Sequence, residues 1–172
     1  MSEYRKKLLK GIGFKVPEET IGNHVWRDIS EYSKLSEEFI RVFEDKVDWE
    51  LVCQYQKLSE ELIREFQSKV DWYYVSSCHQ LSENFIREFK DEVEWHSISE
   101  IQVLSDNFVK ELSDEIYWEV YFQSREASFD IIKKYITKTT FKTTDEIKTV
   151  HLNKVQIREI QRILGIKYLF KV

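Results

Sequence analysis

The sequence is poor in turn-forming residues: its 172 residues include four glycines and one proline. So few turn formers argue against a sandwich or barrel built from many short strands. Cys53 and Cys78 form no CxxC motif, and we expect them to be free thiols. No apolar run approaches the roughly 18 residues of a membrane span. The start, MSEYRKKLLKGIGF, lacks the apolar region of a secretory signal. We therefore expect a cytoplasmic protein.

Apolar residues make up 42% of the chain, which is enough for a packed core and argues against a disordered protein. The net charge of −5 is unevenly distributed. Residues 1–124 carry a net charge of −11, and residues 125–172 carry +6. This asymmetry predicts two surfaces of different character.

All five tryptophans recur at one fixed interval, at Trp26, Trp49, Trp72, Trp95 and Trp118. They mark a unit whose best copy runs from residue 35 to 57, LSEEFIRVFEDKVDWELVCQYQK. The unit recurs from residues 58 and 81, and more loosely from residue 104. A rare residue with such a constant period is typical of a repeat protein.

Each unit predicts a first helix that begins after a serine, a residue that readily caps helix N-termini. Acidic residues follow the serine and oppose the helix dipole. Apolar residues then recur at i, i+1, i+4 and i+8, as in Phe39, Ile40, Phe43 and Val47, and predict a helix of about twelve residues. The capping serines are Ser36, Ser59, Ser82, Ser105 and Ser128.

A second helix of about two turns is expected to follow, capped by Asp48, Asp71 or Glu94. Trp49, Val52 and Tyr55 would form its apolar face, and Trp95, Ile98 and Ile101 would do so two units later. Helices this short are marginal alone, so neighbouring units must bury them. The sequence therefore predicts an all-α fold, a short right-handed α-solenoid of two-helix 23-residue repeats with atypical N- and C-terminal caps.

The predicted array covers residues 25–144, with units near 35–57, 58–80, 81–103 and 104–126 and a degenerate unit at 127–144. Residues 1–24 are expected to form an N-terminal cap, in which Pro17 starts a displaced helical turn. Residues 145–172 are expected to form a C-terminal capping segment. Its helix would begin at Asn153 and end at Gly165, with an apolar side made by Val155, Ile157, Ile160 and Leu164.

The candidate binding residues lie in slots of the second helix that differ from unit to unit. The two slots after tryptophan vary freely, and so do two later slots, one of which holds Cys53, Ser76, Ser99 and Phe122. Positions that are free of the stacking requirement can serve a partner, and exposed apolar groups mark contact sites. Random variation, or docking of the terminal segments on this face, would explain the same pattern. The predicted partner-binding residues are Leu51, Tyr73, Tyr74, His96, Val120 and Phe122.

A basic column, which begins with Arg41 and Arg64, follows acidic residues by four positions along the first helices. This order predicts a solvated face of ion pairs rather than a phosphate-binding stripe. Glu92, His96 and Glu100 have helical spacing, but a helix break near Glu94 would separate them. No HExxH, glycine-rich phosphate loop or GxSxG motif is present. We expect no metal site, no cofactor and no enzymatic activity.

The Leu-Ser, Phe-Ile and Val-Asp-Trp motifs over residues 25–144 resemble a family of short tryptophan-containing α-helical repeats found in uncharacterised viral and phage proteins. The resemblance implies an α-solenoid and a viral protein in the host cell cytosol. It favours a small protein that binds and inhibits a host protein of defence, and it also permits a structural or adaptor role. Nucleic-acid contact is an alternative, through the basic C-terminal segment or through an acidic array that mimics nucleic acid.

Overall fold

A computed structural model describes residues 3–140, 148 and 151–165. Within these residues the chain is all-helical, with twelve α-helices, two 3-10 helices and no strand. The chain forms two compact units, Met1–Leu81 and Ser82–Val172. The helices of the first unit are α1 (Glu3–Gly11), a 3-10 helix (Glu18–Thr20), α2 (Asn23–Tyr32), α3 (Glu37–Val42), α4 (Trp49–Tyr55), α5 (Glu60–Glu65) and α6 (Trp72–Cys78). Those of the second unit are α7 (Glu83–Glu88), α8 (Trp95–Ile101), α9 (Asp106–Glu111), α10 (Trp118–Ser124), α11 (Phe129–Tyr135), a 3-10 helix (Ile136–Lys138) and α12 (Lys154–Ile163).

The serine caps of the first helices are confirmed at all five positions, because each serine hydroxyl accepts a bond from the amide three residues later. The predicted length of twelve residues is wrong. The α-helix ends at Val42 in the first copy, and Phe43 leaves the helical region with φ −115° and ψ 29°. The amides of Lys46 and Val47 then both donate to the carbonyl of Phe43, at 2.9 and 3.0 Å. This tight turn keeps Phe43 and Val47 in the core while it reverses the chain.

The predicted caps of the second helices are also confirmed. The side chains of Asp48, Asp71 and Glu94 accept bonds from first-turn amides. Tyr117 precedes α10 and provides no side-chain cap. Each of these helices has seven residues, which is the predicted two turns.

Most residues of the predicted core stripes are buried in both units, whereas Trp49, Trp72 and Leu112 are half-buried. The second helices also differ from the prediction at their last position. Val52, Val75 and Ile98 are completely buried. Tyr55 and Ile101, which the sequence pattern placed on the same face, are exposed. Both are the last residue of their helix, and the residue after each of them is buried.

Both terminal segments contain helices near the predicted positions. In the first unit, the 3-10 helix follows Pro17, and Arg5 pairs with Glu18 through a 2.8 Å hydrogen bond. In the second unit, α12 begins with a capping box made by Asn153, and Gly165 follows its end with φ +70°. Val155 was expected on the apolar side of α12 and is exposed instead.

Some of the C-terminal predictions lie outside the described residues. The end of the degenerate unit near residue 144 falls in the range 141–147, and the chain terminus falls in 166–172. In the described part of the chain, no helix combines the length and the apolar character needed to traverse a bilayer.

Candidate functional site

Tryptophans 23 residues apart have equivalent surroundings within each of the two compact units. The indole nitrogen of Trp49 donates to the carbonyl of Glu44 at 3.0 Å, and Trp118 donates to the carbonyl of Ser113 at the same distance. The ring of Trp49 also packs on Phe66 of the following repeat, with centroids 4.9 Å apart. The equivalent pairs of other repeats are Trp26 with Phe43, at 5.2 Å, and Trp118 with Tyr135, at 4.1 Å. The indole therefore connects the turn that precedes it to the C-terminal end of the first helix in the following repeat.

A small polar side chain near the end of the second helix forms another recurring link. The hydroxyl of Ser30 accepts from the amide of Asp48, in the following repeat, at 2.9 Å. The thiol of Cys53 accepts from the amide of Asp71 at 3.4 Å. Ser99 repeats the contact in the second unit, at 3.0 Å. Cys53, Ser76 and Ser99 are fully buried, so this slot belongs to the packing and the prediction that it is free for a partner is wrong.

A third link comes from buried polar residues just after the second helices, a slot that the sequence analysis missed. Gln56 donates to the carbonyls of Ser30 and Ser33 at 2.8 and 2.9 Å and accepts from the amide of Leu35 at 3.0 Å. His79 donates to the carbonyl of Cys53 at 2.8 Å. Burial lowers the pKa of His79, so the ring stays neutral at neutral pH and can be held inside the protein.

Arg125 occupies the same slot in the second unit. Its guanidinium donates to the carbonyls of Ser99 and Gln102. Gln56, His79 and Arg125 therefore all donate to backbone carbonyls at the end of the preceding second helix. Such buried bonds matter because an unpaired carbonyl in the core is costly.

The acidic residues of the first helices have two roles. The predicted pairs four residues apart are present for the three arginines, for example Arg41 with Glu37 at 3.5 Å and Arg87 with Glu83 at 3.7 Å. Asp106 instead accepts a bond from the hydroxyl of Ser128 at 2.6 Å. In addition, the carboxylate of Glu37 accepts from the amide of Ser59 at 2.8 Å, so it caps the next first helix. The arginines of the basic column are therefore in ion pairs, and the phosphate-binding alternative gains no support from them.

Of the six predicted binding residues, two are exposed, two are half-buried and two are buried. The expectation that Leu51 and Phe122 lack a core role is wrong, because Leu51 is 8% exposed and Phe122 is fully buried. Phe122 packs on Trp118 with centroids 5.5 Å apart. Tyr73 and His96 are exposed, whereas Tyr74 and Val120 are half-buried.

The exposed residues of the predicted set form one aromatic contact in each unit. In the first unit, the rings of Tyr73 and Tyr74 meet edge to face at 5.3 Å. In the second unit, His96 meets Tyr117 at 5.6 Å. Nothing in these contacts tests partner binding, which stays a prediction.

Two surface tyrosines that sequence reasoning missed extend the aromatic surface of the first unit. Tyr32 is 76% exposed and Tyr55 is 51% exposed. They are the last residues of α2 and α4, two helices that pack against each other. Their equivalent positions in successive repeats were visible in the sequence. The error was to assign Tyr55 to the core because its position fitted an apolar helix face.

The residues considered for metal binding or catalysis are scattered. His96 and Glu100 approach to 4.0 Å on the surface of α8. Cys78 is exposed, whereas the neighbouring His79 is buried. Among the residues that the structure describes, no three His, Cys, Asp or Glu side chains are grouped so that they could hold a metal ion.

Comparison of the chain with protein-family models, with curated proteins and with solved structures finds no match.

Proposed function

We propose that the chain is a non-enzymatic protein-binding module, built as a short α-solenoid of 23-residue two-helix repeats. Three contacts support the repeat architecture, because each recurs at positions 23 residues apart within one of the two compact units. They are the indole link of Trp49, the link from Ser30 to Asp48 and the carbonyl contacts of Gln56. Stacked repeats offer extended surfaces for recognition.

The observation that carries the proposal is the exposure of aromatic side chains on helices whose inner faces are fully used. Tyr73 is 56% exposed on α6, although Val75 and Ser76 of the same helix are completely buried. Tyrosine contributes a large contact area at a small entropic cost, and it is enriched at protein interfaces. The outer face of the second helices is therefore the proposed contact surface.

The sharpest form of the proposal is a small phage or viral protein that inhibits a host defence protein in the host cytosol. This form rests on the resemblance of the repeat motif to repeats of viral and phage proteins, and it assigns no further residue to the proposed contact surface. Its specific consequence is that expression of the chain weakens host resistance to phage. Equal phage yields with and without the chain would contradict the inhibitor role and leave the binding role intact.

The proposal is tested by affinity capture from a host lysate with the wild-type chain and the Tyr73→Ala/Tyr74→Ala variant. We expect the wild type to retain a protein that the variant loses, while circular dichroism and urea unfolding show that both chains are equally folded. The matched control is Lys110→Ala, which changes an exposed residue of a first helix. Equal capture by all three chains would exclude this face as the contact surface.

The alternative, nucleic-acid contact, is favoured by one observation on α12. Lys154, Arg158 and Arg162 are spaced four residues apart and are all exposed, so they lie on one side of the helix. Phosphate contacts lose affinity steeply as salt rises. Binding of a fluorescent DNA oligonucleotide that weakens in Lys154→Ala/Arg162→Ala, and at about 200 mM salt, would support this alternative.

A further inference from the structure

The first unit has a tyrosine face with an unusual charge environment. We define the tyrosine face as Tyr32, Tyr55, Tyr73 and Tyr74 together with the carboxylates Asp28, Glu31 and Glu50. All seven residues belong to α2, α4 and α6, and α4 packs against both of its neighbours. Every member is exposed or half-buried.

The tyrosines are electrostatic neighbours of one another and of the carboxylates. A hydrogen bond to Glu31, followed by the charges of Glu31 and Asp28 and by Tyr55, raises the pKa of Tyr32. Partial burial, followed by the charge of Glu50, raises the pKa of Tyr74, and Tyr55 contributes to this shift as well. α4, which carries Tyr55, packs against both α2, which carries Tyr32, and α6, which carries Tyr74.

The carboxylates of this face are not neutralised by a basic side chain of the described residues, and Glu31 accepts a hydrogen bond from Tyr32. Asp28, Glu31 and Glu50 form no ion pair with any residue that the structure describes. By contrast, Asp48 at the start of α4 pairs with Arg27 at 3.4 Å. With their N-cap residues, the three helices carry five carboxylates and one arginine. Lys34 and Lys57 follow the last residues of α2 and α4 by two positions and lie in the connections.

We propose that the tyrosine face binds an arginine-rich segment of a partner protein. Guanidinium groups stack on tyrosine rings and also form paired hydrogen bonds with carboxylates, so one side chain uses both features of the face. A lysine ammonium lacks the planar fork and is more strongly hydrated. An acidic segment or a phosphate backbone would be repelled by the carboxylates. This inference rests on the proposed function and names the chemistry of the partner.

The test uses fluorescence anisotropy of the full chain with fluorescein-labelled peptides of alternating arginine and glycine, and of alternating lysine and glycine at equal length. We expect tighter binding of the arginine peptide. Tyr32→Ala/Tyr55→Ala should weaken it about tenfold, because two ring–cation contacts are lost. Glu31→Gln/Glu50→Gln should weaken it and reduce its salt dependence. This carboxamide variant preserves side-chain size, so it carries the test if the alanine variant unfolds.

The matched control is Val103→Ala/Tyr117→Ala, which removes two exposed apolar groups of the second unit and should bind the arginine peptide like the wild type. Equal affinity of the wild type and both tyrosine-face variants would overturn the inference, and so would equal binding of the lysine peptide. If lysate capture still depends on Tyr73 and Tyr74 in that case, the contact surface stands and only the chemistry of the partner is wrong.

Discussion

The indole nitrogen of Trp49 lies 3.0 Å from the carbonyl oxygen of Glu44, five residues earlier in the turn that ends the first helix. Trp95 makes the same bond to the carbonyl of Lys90 at 2.9 Å. The turn leaves this carbonyl without a helical partner, and the indole supplies one. This relationship explains why the repeat requires tryptophan, since phenylalanine would fill the space without donating the bond.

Trp49→Phe should lower the free energy of unfolding by about 1–2 kcal/mol, because the carbonyl of Glu44 loses its donor while most of the ring packing remains. Trp49→Ala should cost more, about 3 kcal/mol, because the contact with Phe66 is also lost. Urea unfolding followed by circular dichroism measures both changes. A phenylalanine variant as stable as the wild type would show that the hydrogen bond contributes nothing.

Gln56→Ala should destabilise the fold by about 2–3 kcal/mol, because two carbonyls and one amide lose their partner in a buried site. Gln54→Ala is the matched control, since Gln54 is half-buried in the preceding helix and its truncation should cost less than about 0.5 kcal/mol. The difference in urea midpoint between the two variants is the readout. Equal midpoints would refute a structural role for the slot of Gln56.

Burial raises the pKa of the Cys53 thiol from its ordinary value near 9 to about 11. The folded state holds this proton more tightly than the unfolded state. The resulting stabilisation is complete below about pH 9 and is lost as the pH rises through about 11. We therefore expect the wild type to lose about 2–3 kcal/mol relative to Cys53→Ser between pH 8 and pH 11. A constant difference across this range would show that the thiol is not buried.

Tyr73→Ala/Tyr74→Ala should leave the melting temperature within about 3 °C of the wild type, because neither side chain is fully buried. Trp72→Ala, one residue earlier, should cost about 3 kcal/mol, because this half-buried indole fills the slot in which Trp49 packs on Phe66. Differential scanning calorimetry of the two variants makes the comparison. Similar losses would place the tyrosines in the core and remove them from the candidate surface.

The sequence predicted the helices because their local signals are independent of the rest of the fold. Ser36 and Asp48 are caps that act within one helical turn, and the stripe of Phe39 and Ile40 follows the helix period. The length of the first helix could not be predicted in the same way. Phe43 and Val47 fit a continued helix as well as they fit a turn, and the bond from the indole of Trp49 to the carbonyl of Glu44 in that turn is not visible in the local pattern.

The sequence was less informative about the candidate surface. Variation between copies separated Tyr73 from the core correctly, yet it also selected Leu51 and Phe122, which are buried. A slot can vary and still be buried when the side chains around it differ from copy to copy as well. Tyr55 shows the opposite error, because an aromatic residue in phase with a core position lies at a helix end and faces solvent.

The buried side chain of Gln56 joins neighbouring helices, and we propose that the exposed tyrosines bind a protein. The most direct test is isothermal titration of the captured partner into the wild type, the Gln56→Ala variant and the Tyr73→Ala/Tyr74→Ala variant, at a temperature where all three are folded. We expect wild-type affinity for the glutamine variant despite its lower stability, and an affinity at least about tenfold weaker for the stable tyrosine variant. Unchanged affinity in the tyrosine variant would exclude the exposed tyrosines as the binding residues.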